Sequence, residues 1–366
     1  MFEPVAPLPP PDSARMTLQV ALVGYGLAGA TFHAPLITAT PGLRLASIVT
    51  RDATRRAAAA ARHPGVRLVD TADALLAGPG RPDLVVVASP SGTHASLARA
   101  TLAAGCHVVV DKPVAGTYAE AAGIGQLARE RGRFAIPFQN RRWDGDFLTL
   151  RKLLDEGTLG EVYRFESRFE RWRAEPRPRW CRPGARAAVE GIVYDIGSHL
   201  VDQALVAFGP VERVFATLRR VRPALQVEDD AVLVLEHATG VHSHLYLSAS
   251  AAHPGARFRV SGTRGGYVKY GLDGQEAALA AGVDPASAQW GAEPRSAWGT
   301  LAVGGARAPV PGLAGGYARF YPAVAAALRN EGAVPVRWES AAAVLRVLEA
   351  VFTAADSGAL TEVAPS

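Results

Sequence analysis

Three short stretches of this 366-residue chain hold residues whose types and spacing could do chemistry. The first is VVVDKP, residues 108–113, where an apolar run breaks into Asp111, Lys112 and Pro113. A buried strand can end on a charge pair only if the charges have somewhere polar to go. A lysine there either donates to a ligand or snorkels to water on its aliphatic stem. The second is YDIGSHLVDQAL, residues 194–205. Asp195, His199 and Asp202 recur at i, i+4 and i+7, one stripe of a helix, beside an apolar stripe of Ile196, Leu200 and Ala204. A carboxylate and an imidazole one turn apart can orient each other or share one substrate; an ordinary helix-surface pair has the same spacing. The third is GYGLAG, with Gly24, Gly26 and Gly29 in G-x-G-x-x-G register. After a strand and before a helix, Gly24 permits a tight turn and Gly26 lets backbone approach a pyrophosphate. Gly29 lets helix and strand pack closely, with phosphate at the helix N-terminus. The alternative is a glycine-rich turn that holds no ligand.

The elements that must position these groups follow a clear alternation from residue 18 to about 138. LQVALVG (18–24), LRLASIVT (43–50), DLVVVAS (83–89), HVVVDKP (107–113) and RFAIPF (133–138) are near-continuous apolar runs, as strands buried on both faces require. Between them lie helical ATRRAAAAAR, HASLARATLAAG and YAEAAGIGQLARERG, the last two ending at Gly105 and Gly132, which suit C-caps. This predicts a parallel, doubly wound sheet. After about residue 140 the pattern changes. A helix over 146–157 precedes EVYRFESRFE, VERVFATLRRV, DDAVLVLEH, VHSHLYLSAS, ARFRVSG and YVKYG, which alternate apolar and polar as in a half-exposed antiparallel sheet. Helices over 194–209 and 340–355 complete the set. The expected architecture is α/β. A Rossmann dinucleotide-binding domain at 17–139 precedes an α+β domain at 140–366, for substrate binding and oligomerisation, with a large open, mostly antiparallel sheet. Residues 1–16, containing PLPPP, read as a disordered tail, and Met16 is a second candidate start.

Ligands in open α/β sheets bind beyond the carboxyl ends of the strands, which aims Lys112 at the cofactor crevice. The second strand ends SIVTRD, with Thr50 and Arg51 where an NAD-preferring fold places an acid. A hydroxyl and a guanidinium suit a 2′-phosphate, which favours NADP; NAD remains possible if Asp52 takes the acid's role. Leu27 in the glycine turn, Ser89, Pro90 and His94 after DLVVVAS, and Asp111 with Lys112 complete the expected cofactor-binding set. His94 would shape the nicotinamide side, and His33 begins a helix beside the glycine loop; both have structural alternatives. Arg142 and Trp143, with Arg141 and Asp144, follow the last strand of the first domain and so begin near the mouth of the cleft, where they could meet a substrate, as could Tyr317 and Tyr163.

The composition, 49% hydrophobic and 20% charged, is that of a globular protein long enough for two domains. A net charge of +5 is too mild to argue for nucleic acid. The eight arginines of residues 164–186, interleaved with Trp172 and Trp180 but diluted by Glu166, Glu170 and Glu175, read as a solvated or subunit-contact loop. His242 and His244 share a strand face without an evident third ligand, so no metal site is expected. No apolar run is long enough to span a bilayer. Cys106 and Cys181 are isolated, which fits a reducing compartment, the cytoplasm.

Taken together, G-x-G-x-x-G, a strand ending D-K-P, and D-x-x-x-H on a helix of a sheet-rich second domain resemble the glucose–fructose oxidoreductase / inositol dehydrogenase / MocA family, over about residues 18–355. TFHAPL (31–36), QNRRWDGDFLTL (139–150), YDIGSHLVDQAL (194–205), YVKYGLDGQE (267–276) and GGYARFY (315–321) are similar to the branch that contains NADP-dependent scyllo-inositol dehydrogenases. The family's usual triplet is E-K-P; here the acid is shortened to Asp111. The resemblance implies hydride transfer between nicotinamide C4 and a carbinol carbon of a polyol or sugar, with an inositol-type substrate. It implies His199 as the base, Lys112 hydrogen-bonded to the same oxygen, and Asp195 binding a neighbouring hydroxyl or steadying the lysine. Which of Lys112 and His199 is the formal base stays open. Metal is not needed. A homodimer or homotetramer that buries the open sheet is also implied. Two other activities share the fold: NAD-dependent glycoside hydrolysis, and non-catalytic dinucleotide sensing, which need not keep a lysine and a histidine together.

Overall fold

In the computed structural model the described residues are 17–365; the proline-rich segment 1–16, with Met16, lies outside them. Six strands form the first sheet: β1 (Leu18–Val23), β2 (Leu43–Val49), β3 (Arg67–Val69), β4 (Leu84–Val87), β5 (His107–Asp111) and β6 (Ala135–Phe138). They are all parallel, in the order β3-β2-β1-β4-β5-β6. Strand order reverses between β1 and β4, the switch point beyond which such sheets bind ligands. The apolar runs do what their composition requires: all four residues of β4 are inaccessible to solvent. Gly105 and Gly132 follow their helices with φ of 79° and 57°, a left-handed step that a Cβ would oppose. β3 and the short helix Ala72–Ala77 have no counterpart in the sequence reading, because three residues are too few to display a period.

The second sheet has nine strands: β7 (Val162–Glu170), β8 (Val211–Arg219), β9 (Asp230–His237), β10 (His242–Ser248), β11 (Phe258–Gly262), β12 (Gly265–Lys269), β13 (Gly299–Val303), β14 (Ala306–Val310) and β15 (Thr361–Glu362). Their order is β14-β13-β12-β11-β7-β10-β9-β8-β15, antiparallel except for the β7–β10 pair. Burial alternates strictly along β9, so one face meets the core. The β13–β14 hairpin escapes the sequence reading because GTLAV and ARAPV are largely exposed and carry no apolar alternation. Its turn, Gly304–Gly305 with φ of 57° and 84°, is the one local signal that marks it.

Two compact units divide the chain, and not at a single point in sequence. The first takes residues up to Asp111, then Gly123–Phe138 and Ala318–Trp338; the second takes Lys112–Ala122, Gln139–Tyr317 and the chain from Glu339 onward. A division at residues 139 and 140 separates the two sheets but not the packing. Within the first unit, helix Phe320–Leu328, unassigned by the sequence reading, brings Phe320 edge-on to Phe138 at 4.8 Å between ring centroids. Within the second, the strand-end segment is tied down along its length. Tyr194 Oη donates to the Gly116 carbonyl at 3.0 Å, Glu349 accepts from the Tyr118 amide at 2.8 Å, and Arg346 lies over the Tyr118 ring.

The second unit's core is organised around a buried guanidinium. Arg257, 2% exposed, donates to Asp146 Oδ2 at 3.2 Å, Ser167 Oγ at 2.7 Å and Gln203 Oε1 at 2.7 Å, with its plane over Phe258. It thereby joins β7, helix Gly145–Asp155 and helix Ser198–Phe208. Removing one partner of a buried pair strands the other, at about 3–5 kcal/mol. Arg257→Leu is therefore expected to lower the unfolding free energy by that amount, read as a fall in the urea midpoint at unchanged slope. A loss below about 1 kcal/mol would show that the network does not hold the core.

Candidate functional site

In the second unit a π-helical turn, Val193–Gly197, runs into helix Ser198–Phe208 and presents Asp195 and His199. Glu228, 2% exposed, fixes the start of the turn by accepting from the Val193 amide and from Arg186. Gly191, at φ 114°, leaves room for that carboxylate; a Cβ there would enter it. At Gly197 a Cβ would stand 3.2 Å from Leu247 Cδ2, so glycine lets the turn lie close on β10. These local constraints set the geometry from which the chemistry follows.

Lys112 does not snorkel to bulk water. Its Nζ donates to Asp195 Oδ1 at 3.0 Å and to the Asp195 carbonyl. The other carboxylate oxygen faces two further cations, Arg177 Nη2 at 3.0 Å and Arg171 Nη2 at 3.9 Å. Arg177 approaches off the hydrogen-bonding direction and Arg171 stands beyond hydrogen-bond distance, so Oδ2 still lacks a donor. Burial opposes ionisation of Asp195, but Lys112, Arg177 and Arg171 outweigh it and hold the carboxyl well below the usual carboxylate range. His199 is 5% exposed. Burial pushes its pKa well below the ordinary imidazole value, and the Lys112 and Arg141 charges push the same way. It is a neutral imidazole whose buried Nδ1 has no hydrogen-bond partner. The cluster thus joins a charged ammonium, an ionised carboxylate and a neutral base.

Other residues singled out from sequence are held differently. Asp202, third member of the stripe, accepts a two-pronged bond from Arg142, Nε to Oδ2 at 2.8 Å and Nη2 to Oδ1 at 2.6 Å. Arg142 Nη2 also donates to Ser340, so the fork expected to meet substrate is engaged by the protein. Tyr317 is 1% exposed and donates to Asp144 Oδ1, while its amide donates to Gln275. Asp144 also faces Arg141, and burial raises its pKa to about 8. Trp143 is half-buried, its carbonyl accepting from Gly316 and Gln275. Tyr163 is exposed on β7.

The arginine-rich segment is not simply a solvated loop. Trp172 bridges to Ser250, which extends the alternation of β7 past Glu170. Period two then puts Arg171 and Arg173 on one side and Trp172, 60% exposed, on the other. Sequence reasoning missed Arg171 and Arg177 as neighbours of Asp195. The run F-E-R-W-R at the end of a strand pattern was the available signal.

In the first unit the three glycines meet different constraints. Gly24 has φ 98°, and a Cβ on it would lie 2.5 Å from the Ala88 carbonyl; one on Gly29 would strike the Gly24 carbonyl. Gly26 meets neither limit. Its φ is ordinary, and the nearest atom to a Cβ placed there would be Arg55 Nη1 at 3.9 Å. The space over Gly26 is open to a ligand, which is the fit a pyrophosphate requires. Leu27 beside it is 71% exposed. At the end of β2, Thr50 is buried and Arg51 is exposed, with a long bond from Nε to the Asp70 carbonyl. The Asp52 side chain caps helix Ala53–Arg62 by accepting from the Arg55 amide at 2.9 Å. After β4, His94 is buried and bonded to the Ser89 carbonyl, Ser89 Oγ meets Thr93, and Pro90 is exposed. His33 is fully buried, 2.7 Å from Tyr321 Oη, with Nε2 3.7 Å from Asp111. Among the described residues no group of three or more ligating side chains is placed to hold a metal, and no helix is long and apolar enough to cross a membrane.

Comparison with known proteins agrees with both sheets. Residues 18–138 match the profile described as an oxidoreductase family with an NAD-binding Rossmann fold, and residues 147–268 match the GFO/IDH/MocA C-terminal domain. The uncharacterized oxidoreductase YdgJ of Escherichia coli is 41% identical, with 91% of this chain and 94% of that protein covered. The scyllo-inositol 2-dehydrogenase (NADP(+)) IolW of Bacillus subtilis is 33% identical, over 92% and 93%. The crystal structure of an oxidoreductase from Bacillus cereus superposes with a TM-score of 0.83 at 28% identity, over 96% and 99%. The chain therefore belongs to the Gfo/Idh/MocA family, as an NAD(P)-binding oxidoreductase with a Rossmann-type first sheet.

Proposed function

We propose that this oxidoreductase is an NADP-preferring dehydrogenase acting on a carbinol carbon of a cyclic polyol or sugar. The observation that carries the reading is the Lys112–Asp195 ion pair in one cluster with a buried, neutral imidazole at His199 whose Nδ1 has no partner. In the oxidation direction the substrate hydroxyl loses its proton to His199, a free base at neutral pH. Lys112 donates to the same oxygen as negative charge develops on it. Asp195 keeps Lys112 aimed. The bound dinucleotide would supply the hydride acceptor at its nicotinamide ring. Gly24, Gly26, Leu27 and Gly29 would hold its pyrophosphate, and Ser89, Pro90, His94 and Asp111 would line the nicotinamide side. Trp143 and Tyr317 keep a supporting part in substrate binding, and Arg142 acts there through Asp202.

Lys112→Ala and His199→Ala are each expected to lower turnover about 100-fold or more while cofactor binding persists. The pH profile is an independent readout. The folded His199 pKa is depressed, so the acid limb of kcat/KM should fall below pH 6.5, the ordinary imidazole value. Near-normal turnover in both variants, or an acid limb above that value, would remove His199 and Lys112 from the chemistry.

Cofactor preference rests on the tip of β2. Asp52 is occupied as a helix cap, and Arg51 is exposed with Arg55 one turn further on. The name of the B. subtilis relative, which carries NADP(+), supports the same choice. Arg51→Ala should weaken NADPH at least about 10-fold, the scale of a lost charge-assisted bond, and NADH far less. Equal losses would return the assignment to NAD.

The second sheet's exposed face includes Phe215, 38% exposed, and a homodimer or homotetramer would cover it. Light scattering of the purified chain should give two or four protomers; a monomer at micromolar concentration rejects that assembly.

A further inference from the structure

Around Asp195 the charges do not balance. Lys112, Arg171 and Arg177 face its carboxylate, and Arg173 adds a fourth cation on the same side of the chain as Arg171. The nearby acids are already taken. Glu276 holds Arg141 at 2.8 Å, and Glu190 holds Arg179 at 2.8 Å and the Trp180 indole at 3.1 Å. Arg173 is half-buried, and its guanidinium makes no ion pair or hydrogen bond among the described residues. The backbone that carries these side chains is fixed. Arg171 and Arg173 donate their amides to Ser248 and Ala249, Arg222 donates to the Arg173 carbonyl, and Arg177 lies over the Trp180 ring. A neutral polyol needs hydroxyl partners, not four cations to one carboxylate. A set of planar forks with unused donors fits an oxyanion.

We infer that Arg171, Arg173 and Arg177 form an anion subsite beside Lys112, Asp195 and His199, and that the natural substrate is a polyol or sugar bearing a carboxylate or phosphate. The inference rests on the dehydrogenase reading of that cluster and narrows its substrate class. Crowding supports it. Burial and the neighbouring Arg173 push the Arg171 pKa down to about 10, and burial with Arg177 lowers that of Arg173. A bound anion would relieve both. The same anion would raise the depressed His199 pKa toward neutrality and make it a better base.

The test is calorimetric titration of the full chain, with and without NADP, using D-glucuronate against glucose and glucose 6-phosphate against glucose, with myo-inositol as the neutral cyclic control. At least one anion should bind about 10-fold or more tighter than its neutral counterpart, the scale of one charge-assisted hydrogen bond. The winning arm names the carboxylate or the phosphate. Arg173→Ala should erase the difference and Arg173→Lys should retain part of it; since Arg173 has no protein partner to strand, folding is not at risk. Equal binding of anionic and neutral compounds, no binding of either anion, or an undiminished preference in Arg173→Ala overturns the subsite. Binding is read apart from turnover. Anions that bind through Arg173 with no change at 340 nm would sink the dehydrogenase reading and leave the subsite standing. Neutral polyols that reduce NADP while anions neither bind nor compete would do the reverse.

Discussion

The interaction on which the second unit's chemistry depends is the ion pair between Lys112 and Asp195. Two side chains less than one-fifth exposed have given up most of their hydration to make it. Such a pair is favoured when further hydrogen bonds or charges meet its remaining polar atoms, as Arg177 and Arg171 face Asp195 Oδ2. Lys112 donates to the Asp195 carbonyl as well as to its carboxylate, so the ammonium reads the backbone of the π-helical turn and not just one rotamer. Strand end, turn and arginine segment are therefore mutually dependent. A different winding of the turn would re-aim that carbonyl, and the lysine would lose a partner that fixes its aim.

That arrangement leaves a contrast along one helix. Asp202 and Gln203 are buried and fully engaged, the first by Arg142 and the second by Arg257 and the Arg141 carbonyl. His199, one turn earlier and equally buried, keeps an unpartnered nitrogen. Packing makes polar groups satisfy one another, because an unmet donor or acceptor costs about 1–3 kcal/mol. His199 shares that state with Asp195 Oδ2 beside it, so the unmet polar atoms of this turn gather at the cluster proposed to meet substrate. The Arg257 network is what makes that selective: it pins the helix so that His199 cannot drift toward a partner of its own.

Where the sequence was legible, the signal was local and periodic. The apolar runs of β1, β2, β4 and β5, the glycine register and the D-x-x-x-H stripe each declare themselves within a dozen residues. Elements too short to show a period were lost, as with β3 and β15, and so was the exposed hairpin of β13 and β14. Partners distant in sequence were lost as well. Nothing near residue 142 announces that Asp202 will hold its guanidinium, and nothing near residue 317 announces Asp144. The arginine run misled for the opposite reason. Counting charges over 164–186 averaged two strand faces, whereas only the alternation past Glu170 separates Arg171 and Arg173 from the exposed Trp172.

The glycine turn shows how a motif can be divided into what the fold demands and what a ligand demands. Gly24 is required by its φ and by the Ala88 carbonyl, and Gly29 by the Gly24 carbonyl; both would be glycine in a protein that bound nothing. Gly26 has an ordinary φ and open space where a side chain would stand. The fold alone would accept alanine there, with less loss of chain entropy on folding. A glycine retained where the protein gives no reason for it points to something from outside that must come close to the backbone. In this turn, facing the end of β4 at the switch of strand order, that is where the proposed dinucleotide would bring its phosphates.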